Sequence, residues 1–155
     1  MKISKIEKRI PFGFRGDWGT LYKKFDYDEK IDNEIVLYNQ IKFVDFGMDV
    51  QFKRIDDEKI IKSVFSVNSL AKLGDLIVET TDAYWNDELK RFQCVVEAGD
   101  IVKVFNRYFV VQSVKTHSVY TPAEQQFFYI ELKNLTKEEV HAAEWYCCRI
   151  FNARV

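Results

Sequence analysis

The clearest indication of the fold class is the segment Ile101-Val-Lys-Val-Phe-Asn-Arg-Tyr-Phe-Val-Val-Gln-Ser-Val114. Its residues on both sides of Asn106-Arg107 are mainly β-branched and aromatic, which favours β-strands. Asparagine tolerates a positive φ, so a two-residue connection at Asn106 and Arg107 predicts an antiparallel hairpin. Arg107 lacks that tolerance, and a slightly longer loop is equally compatible with the pattern.

Short segments of the same character recur along the chain, separated by polar turns. Strands are predicted over residues 35–44, 48–53, 60–67, 76–79, 92–96, 101–105, 108–114 and 127–132. Closely spaced strands of this kind are typical of an antiparallel barrel or sandwich. The sequence therefore predicts an all-β fold, a small barrel or a sandwich, with mainly antiparallel strands.

The chain of 155 residues has the length of one domain, and no Pro/Gly/Ser-rich linker divides it. We expect a loop-rich N-terminal arm over residues 1–33 and a β body over residues 34–135. Residues 136–155 are expected to form a helix and a tail. The helix is predicted over residues 137–147, because Thr136-Lys-Glu-Glu139 fits a capping box at a helix start.

Composition limits the classes of function. The chain is 47% hydrophobic and 30% charged, as in globular proteins. Its 23 Lys and Arg residues are balanced by 24 Asp and Glu residues, so the basic surplus typical of nucleic-acid-binding proteins is missing. Since no apolar run approaches 18 residues and the first ten residues lack the core of a signal peptide, we expect a soluble protein that folds in a cytoplasm.

Cysteine and histidine are the first places to look for catalysis or a metal. The chain holds Cys94, Cys147, Cys148, His117 and His141, and no Cys-x-x-Cys pair. Structural zinc normally needs four suitably spaced ligands, and a hydrolase needs a nucleophile beside its base. We interpret the thiols as packed side chains and His117 as an ordinary loop residue. No catalytic residue and no metal ligand is predicted.

Acidic residues form two clusters in the sequence. Asp26 and Asp28 begin a pattern similar to a calcium loop, but Lys30 stands where a third ligand belongs and the glycine is missing. The second cluster, Asp56-Asp-Glu58, is interpreted like the first as a solvated turn. Neither glycine-rich phosphate-binding motif occurs, and no cofactor is predicted.

Aromatic residues are more informative than charge. The segment Phe12-Gly-Phe-Arg-Gly-Asp-Trp-Gly19 alternates aromatic residues with glycine, which predicts a loop that a neighbouring subunit could order. The alternative is that Phe12, Phe14 and Trp18 cap the barrel of their own domain. Most other aromatic residues, Tyr84 and Trp85 among them, are expected in the core.

The segment over residues 96–114, Val96-Glu-Ala-Gly-Asp followed by the hairpin quoted above, resembles the late hairpin of small phage head–tail joining (head-closure) proteins. Phe128-Tyr-Ile-Glu-Leu-Lys133 is similar to the closing strand of those proteins. The resemblance covers residues 96–133, about a quarter of the chain. The N-terminal third and the C-terminal helix extend beyond that compact pattern, and a tail terminator or another neck protein fits about as well.

This resemblance implies a virion component without a catalytic site. The subunits would form a homo-oligomeric ring between portal and tail, in contact with other neck, portal-adaptor or tail proteins. DNA would pass through the lumen without sequence-specific binding, and assembly would take place in the bacterial host cytoplasm. Long loops would reach neighbouring subunits, which adds His117, Tyr120 and Pro122 of the loop over residues 116–126 to the interface candidates.

Two other functions compete with this expectation. A single-stranded nucleic-acid-binding barrel would stack bases on aromatic side chains flanked by lysine and arginine. Lys23, Lys24, Arg91, Lys103 and Arg107 make that arrangement conceivable. A small metal-dependent or Cys/His hydrolase would instead use the two histidines and the cysteines.

Overall fold

The computed structural model describes residues 6–7, 15–24, 34–116 and 127–142 of the chain. These residues are mostly in β-strands. The strands are β1 (Ile6–Glu7), β2 (Asp17–Lys24), β3 (Ile35–Tyr38), β4 (Ile41–Arg54), β5 (Leu76–Thr80), β6 (Ala83–Asn86), β7 (Arg91–Cys94), β8 (Ile101–Val104), β9 (Arg107–Thr116), β10 (Phe128–Asn134) and β11 (Val140–Ala142). An α-helix, α1 (Glu58–Phe65), and a short 3₁₀ helix (Leu70–Lys72) lie between β4 and β5.

Six strands close into an antiparallel barrel. Around the barrel the order is β2, β4, β5, β10, β9 and β8, and β8 pairs with β2 to complete the circle. Closure satisfies the backbone groups that open sheet edges would leave unpaired. The predicted all-β fold is confirmed, with a barrel rather than a sandwich.

The alternation of side chains along β8 and β9 shows why these sequences form barrel strands. Val102 and Val104 of β8 face the interior cluster together with Phe109 and Val111 of β9. Ile101, which directly precedes Val102, lies in a second cluster on the outer face. Because strand side chains alternate with a period of two, a strand that is apolar on both faces must be covered on both.

Two groups of elements cover the outer face. Strands β3 and β11 extend the sheet beyond β4 in the order β11-β3-β4, and they enclose the cluster that contains Tyr22, Val36 and Ile101. Helix α1 covers β5 and β10, where Ile61 and Phe65 pack with buried side chains of those strands. Within the described ranges, no helix is long and apolar enough to cross a membrane.

A bulge in β4 allows one strand of 14 residues to serve both the barrel and this extension. The register with β2 shifts between Thr20, which faces Asp49, and Tyr22, which faces Asp45. Gly47 lies in the bulge with φ of 77°, and its N–H donates to the Asp45 carboxylate at 2.8 Å. Extra residues of this kind bend a strand and increase its twist.

The strand predicted over residues 60–67 is wrong, because these residues belong mainly to helix α1. The Asp57 side chain caps the helix by accepting from the N–H groups of Lys59 and Ile60 at 3.0 and 3.4 Å. Ile61 and Phe65 are four residues apart and share the buried face. Their spacing is helical, although their composition favours a strand.

The helix predicted over residues 137–147 is wrong in its first part. Residues 137–139 form a turn, in which the Thr136 carbonyl accepts from the Glu139 N–H at 3.1 Å. Val140–Ala142 then form β11 and pair with β3. The buried Val140 side chain packs with the outer cluster, and this tertiary packing overrides the capping signal. The remainder of the predicted helix, from residue 143, lies outside the described residues.

Several boundaries differ from the sequence prediction. The β8–β9 turn consists of Phe105 and Asn106, both at positive φ, so Arg107 already pairs in β9. A second two-residue turn at Asn39 and Gln40 divides the predicted strand over residues 35–44 into β3 and the start of β4. Strand β2 lies within the arm that was expected to be rich in loops.

Candidate interaction surface

Strands β6 and β7 form a hairpin that lies outside the barrel sheet and pairs with β1 instead. We call residues 83–94 the hairpin. Its base is fixed to the barrel through Asp82, whose carboxylate accepts from the Gln51 N–H at 3.3 Å and whose carbonyl accepts from the Val95 N–H at 3.2 Å. The Asp82 N–H donates to the Thr80 hydroxyl at 3.3 Å. The hairpin is therefore anchored where it leaves the barrel.

The hairpin exposes two large apolar side chains. Trp85 is 43% exposed and Leu89 is 51% exposed. Trp85 is held in place, because its ring meets Phe92 edge to face at 5.0 Å and its Nε1 donates to the Asp87 carboxylate at 2.8 Å. An exposed tryptophan with a fixed conformation loses little entropy on binding, which is typical of residues that dominate protein interfaces.

Trp18 is the interface candidate that falls within the described residues, and it is 55% exposed in β2. It faces Gln51, the residue that bonds Asp82 at the hairpin base, so Trp18 and the hairpin lie at the same end of the barrel. The structure places Trp18 in a strand rather than in the predicted loop. The other five candidates lie outside the described residues: Phe12, Phe14, His117, Tyr120 and Pro122.

Sequence reasoning missed the hairpin as an exposed element. It assigned Trp85 to the core, predicted no strand at β6 and did not consider Leu89. The available signal was the polar run Asn86-Asp-Glu-Leu-Lys90, which separates Tyr84-Trp85 from Phe92 as a hairpin turn separates two strands. Composition alone does not reveal that the turn lies far enough from the barrel to leave Trp85 half exposed.

A groove of about 690 Å³ lies between the hairpin and the end of the barrel. Tyr84, Asn86, Arg91 and Gln93 line it from the hairpin, while Val114, Thr116 and Phe128 line it from β9 and β10. Its volume is within the range of ligand-binding clefts. Polar donors on the hairpin wall and the partly exposed Val114 on the other suit a ligand that has both characters.

A buried ion pair fixes the turn beside this groove. The Lys23 ammonium of β2 donates to the Asp100 carboxylate at 2.8 Å, and both residues are 8% exposed. The same carboxylate accepts from the Glu97 N–H at 2.8 Å. Burial raises the pKa of the Asp100 carboxyl above its ordinary value, while Lys23 acts in the opposite direction. Because Glu97 lines the groove, the pair holds one of its walls in place.

Two turns next to barrel strands contain Gly-Asp, at Gly74-Asp75 and Gly99-Asp100, and each needs glycine for a different physical reason. Gly99 has φ of 95°, a left-handed conformation that favours glycine. At Gly74 the reason is space, because an added Cβ would lie 2.6 Å from the Leu132 carbonyl oxygen. Asp75, next to Gly74, accepts from the Asn134 N–H at 2.8 Å. Both turns tie loops to the barrel.

The acidic cluster over residues 56–58 has structural roles. Asp57 caps α1, Asp56 pairs with Arg54 at 3.1 Å, and Glu58 lies 4.0 Å from Lys62. In the part of the chain that the structure describes, no group of three or more His, Cys, Asp or Glu side chains could hold a metal ion. Cys147, Cys148 and His117 lie outside that part, and His141 belongs to β11.

Cys94 is buried, and burial raises the pKa of its thiol to about 12. The thiolate is the reactive form, so this thiol is unsuited to nucleophilic attack near neutral pH. In a variant with Cys147→Ser and Cys148→Ser, we expect Cys94 at pH 8 to react with an aromatic disulfide reagent at least about 100-fold more slowly in the native protein than in urea. Rapid labelling of the native variant would contradict the view that Cys94 is an unreactive, buried thiol. It would also favour the competing hypothesis of a Cys/His hydrolase.

No protein-family model matches this chain, and no curated protein matches it.

Proposed function

We propose that this protein is a structural subunit of a phage or prophage neck, where it assembles into a head–tail connector ring through protein–protein contacts. The observation that carries the proposal is the hairpin, which presents a fixed and half-exposed Trp85 and an exposed Leu89 from an anchored base. An element of this kind is suited to docking on another protein, because its conformational entropy is already reduced before binding.

The resemblance gives the proposal its biological context. The segment similar to head-closure proteins, residues 96–133, contains β8, β9 and most of β10, which are three consecutive barrel strands. A connector must resist deformation while it holds neighbouring rings. The closed barrel supplies that rigidity, since its strands cannot separate without breaking pairs on both sides.

In the proposed mechanism, association is driven by burial of apolar surface and not by a reaction. Each subunit contacts one neighbour through one surface patch and the other neighbour through a different patch. A closed ring satisfies all such heterologous contacts. The near-balance of 23 basic and 24 acidic side chains suits a lumen through which DNA passes without being retained.

Assembly can be tested by analytical ultracentrifugation and negative-stain imaging of the protein alone and with connector proteins of the same genome. Rings, or defined complexes with those proteins, are the expected result. We expect Trp85→Ala to weaken assembly about 30-fold, the effect of losing an interface residue worth about 2 kcal/mol. Ile60→Ala, which removes a 40% exposed side chain from α1, is the matched control and should assemble normally.

A strict monomer that binds none of the connector proteins would count against the proposal. Salt-dependent binding of a single-stranded oligonucleotide at micromolar protein would instead favour the competing barrel function. A Trp85→Ala variant that assembles like the native protein would remove the hairpin from the interface.

A further inference from the structure

The groove between the hairpin and the barrel end contains a set of hydrogen-bond donors whose orientation is fixed by the surrounding residues. Asn86 is the first member of this set. Its side-chain oxygen accepts from the Leu89 N–H at 3.0 Å, so its amino group must point in the other direction. That amino group donates to the Gln93 side-chain oxygen at 2.8 Å.

The orientation of Asn86 determines the orientation of Gln93. The Gln93 oxygen accepts from Asn86 and also from the Tyr84 hydroxyl, at 2.7 Å. An amide oxygen accommodates two such donors, so this oxygen is fully used. The Gln93 amino group therefore points away from the hydrogen-bonded network. Since Gln93 lines the groove, its amino group is placed to donate to a ligand there.

Arg91 supplies a positive charge on the same wall. It is two residues from Gln93 in β7, so both side chains lie on one face of the strand, roughly 7 Å apart along it. Arg91 also lines the groove and is exposed. Arginine and an amide amino group together are well suited to hold a carboxylate, because the hydrogen bonds to it are charge-assisted.

The opposite wall is partly apolar. Val114 of β9 lines the groove next to the almost fully buried Phe128 of β10, and Thr116 follows Val114 on β9. The acidic residue that lines it, Glu97, lies 3.8 Å from the Lys23 ammonium, but Asp100 shares that ammonium at 2.8 Å, so the repulsion of an incoming carboxylate by Glu97 is only partly reduced. The groove thus combines donors for an anion with a surface for an apolar side chain.

We propose that this groove binds an extended segment of a partner protein in which an acidic side chain stands next to an apolar one. The carboxylate is held by Arg91 and the Gln93 amino group, and the apolar side chain packs on Val114. The inference rests on the proposed function in one respect, namely that the ligand is a protein segment rather than a metabolite.

Binding can be measured on the isolated protein with a defined probe. The probe is the capped hexapeptide Ac-Ser-Glu-Phe-Thr-Val-Ser-NH₂, titrated into ¹⁵N-labelled protein while the side-chain amide signals are followed by NMR. We expect saturable shifts of the Gln93 amide signals. The same peptide with Gln in place of Glu should bind about tenfold more weakly, because the charge-assisted bonds are lost.

Two variants locate the site. Arg91→Gln removes an exposed charge without disturbing the core, and we expect it to weaken binding of the Glu peptide about tenfold. Arg107→Gln is the matched control, because Arg107 is an exposed arginine at the start of β9, far along the strand from Val114. This variant should bind like the native protein.

Three results would overturn the inference. The first is equal affinity for the Glu and Gln peptides, and the second is an Arg91→Gln variant that binds the Glu peptide normally. The third is self-association of the protein that depends on Arg91, because the occupant of the groove would then be a second copy of the chain. The ring assay separates the two proposals. Intact rings without peptide binding overturn the groove alone, and peptide binding by a protein that never assembles overturns the neck function alone.

Discussion

Replacing Lys23 with methionine is expected to lower the free energy of unfolding by about 3–5 kcal/mol at pH 7. Lys23 and Asp100 are both 8% exposed and are joined at 2.8 Å, so the variant leaves a buried carboxylate without its cation. The Glu97 N–H still donates to that carboxylate, but one neutral donor does not replace the ammonium. Urea unfolding followed by tryptophan fluorescence provides the measurement.

Two further variants show whether burial is the reason. Lys53→Met removes another paired lysine, but its side chain is 54% exposed and lies 4.0 Å from Glu79, so we expect a loss of at most about 1 kcal/mol. The double variant Lys23→Met with Asp100→Asn removes both charges and should recover most of the stability. A Lys23→Met variant as stable as Lys53→Met would contradict the role of the buried pair.

The effect of pH on Lys23→Met follows from the raised pKa of Asp100. Burial raises the pKa in the folded protein, and without Lys23 nothing of comparable size lowers it. As pH falls below the folded-state pKa, the folded state binds a proton before the unfolded state does, which stabilises the folded variant. The difference in stability from the native protein should therefore be smaller at pH 5 than at pH 7. An unchanged or larger difference at pH 5 would argue against a buried, unpaired carboxylate.

The second large effect is expected at Phe52, which is fully buried in the barrel interior. Phe52→Ala should lower the free energy of unfolding by about 3–5 kcal/mol, because it removes apolar contacts and leaves a cavity in a closed barrel that cannot easily collapse. Urea unfolding of the variant measures this loss. A value below about 1 kcal/mol would show that the barrel interior does not depend on this ring.

Gly19 provides a matched test of the packing around Phe52. A Cβ added at Gly19 would lie 2.9 Å from Cε2 of the Phe52 ring, so Gly19→Ala should be destabilising on its own. In combination with Phe52→Leu, which vacates that space, the alanine should cost less than it does alone. Since residues in contact are not additive, the double variant is expected to be more stable than the sum of the single changes implies. Simple additivity would contradict the contact.

The sequence predicted the barrel strands where local pattern and tertiary environment agree. Along β8 and β9, residues 101–111 alternate between the interior cluster and an outer cluster, and their β-branched and aromatic composition fits both. Predictions failed where a local sequence motif is compatible with two different structures. The capping signal at Thr136 produced only a turn, because Val140 gains more from packing beside β3 than from continuing a helix.

The candidate surface was predicted only in part. Trp18 was identified, although as a loop residue, whereas Trp85 was assigned to the core. A tryptophan looks the same in the sequence whether it lies in the core or on an exposed surface. Its exposure depends on whether its strand pairs within the barrel or outside it, and β6 pairs with β1 and β7. The pairing of β6 with β1 joins residues distant in sequence and leaves no periodic trace.

The β-rich class, the balanced charge and most of the barrel strands can be predicted from the sequence, because these depend on composition and on a two-residue period. Three other features are visible only in the folded chain: β8 returns to β2 and closes the barrel, Lys23 pairs with Asp100 across 77 positions, and the hairpin lies beside a groove. Each of these features depends on long-range pairing, whose free energy arises only when distant segments come together.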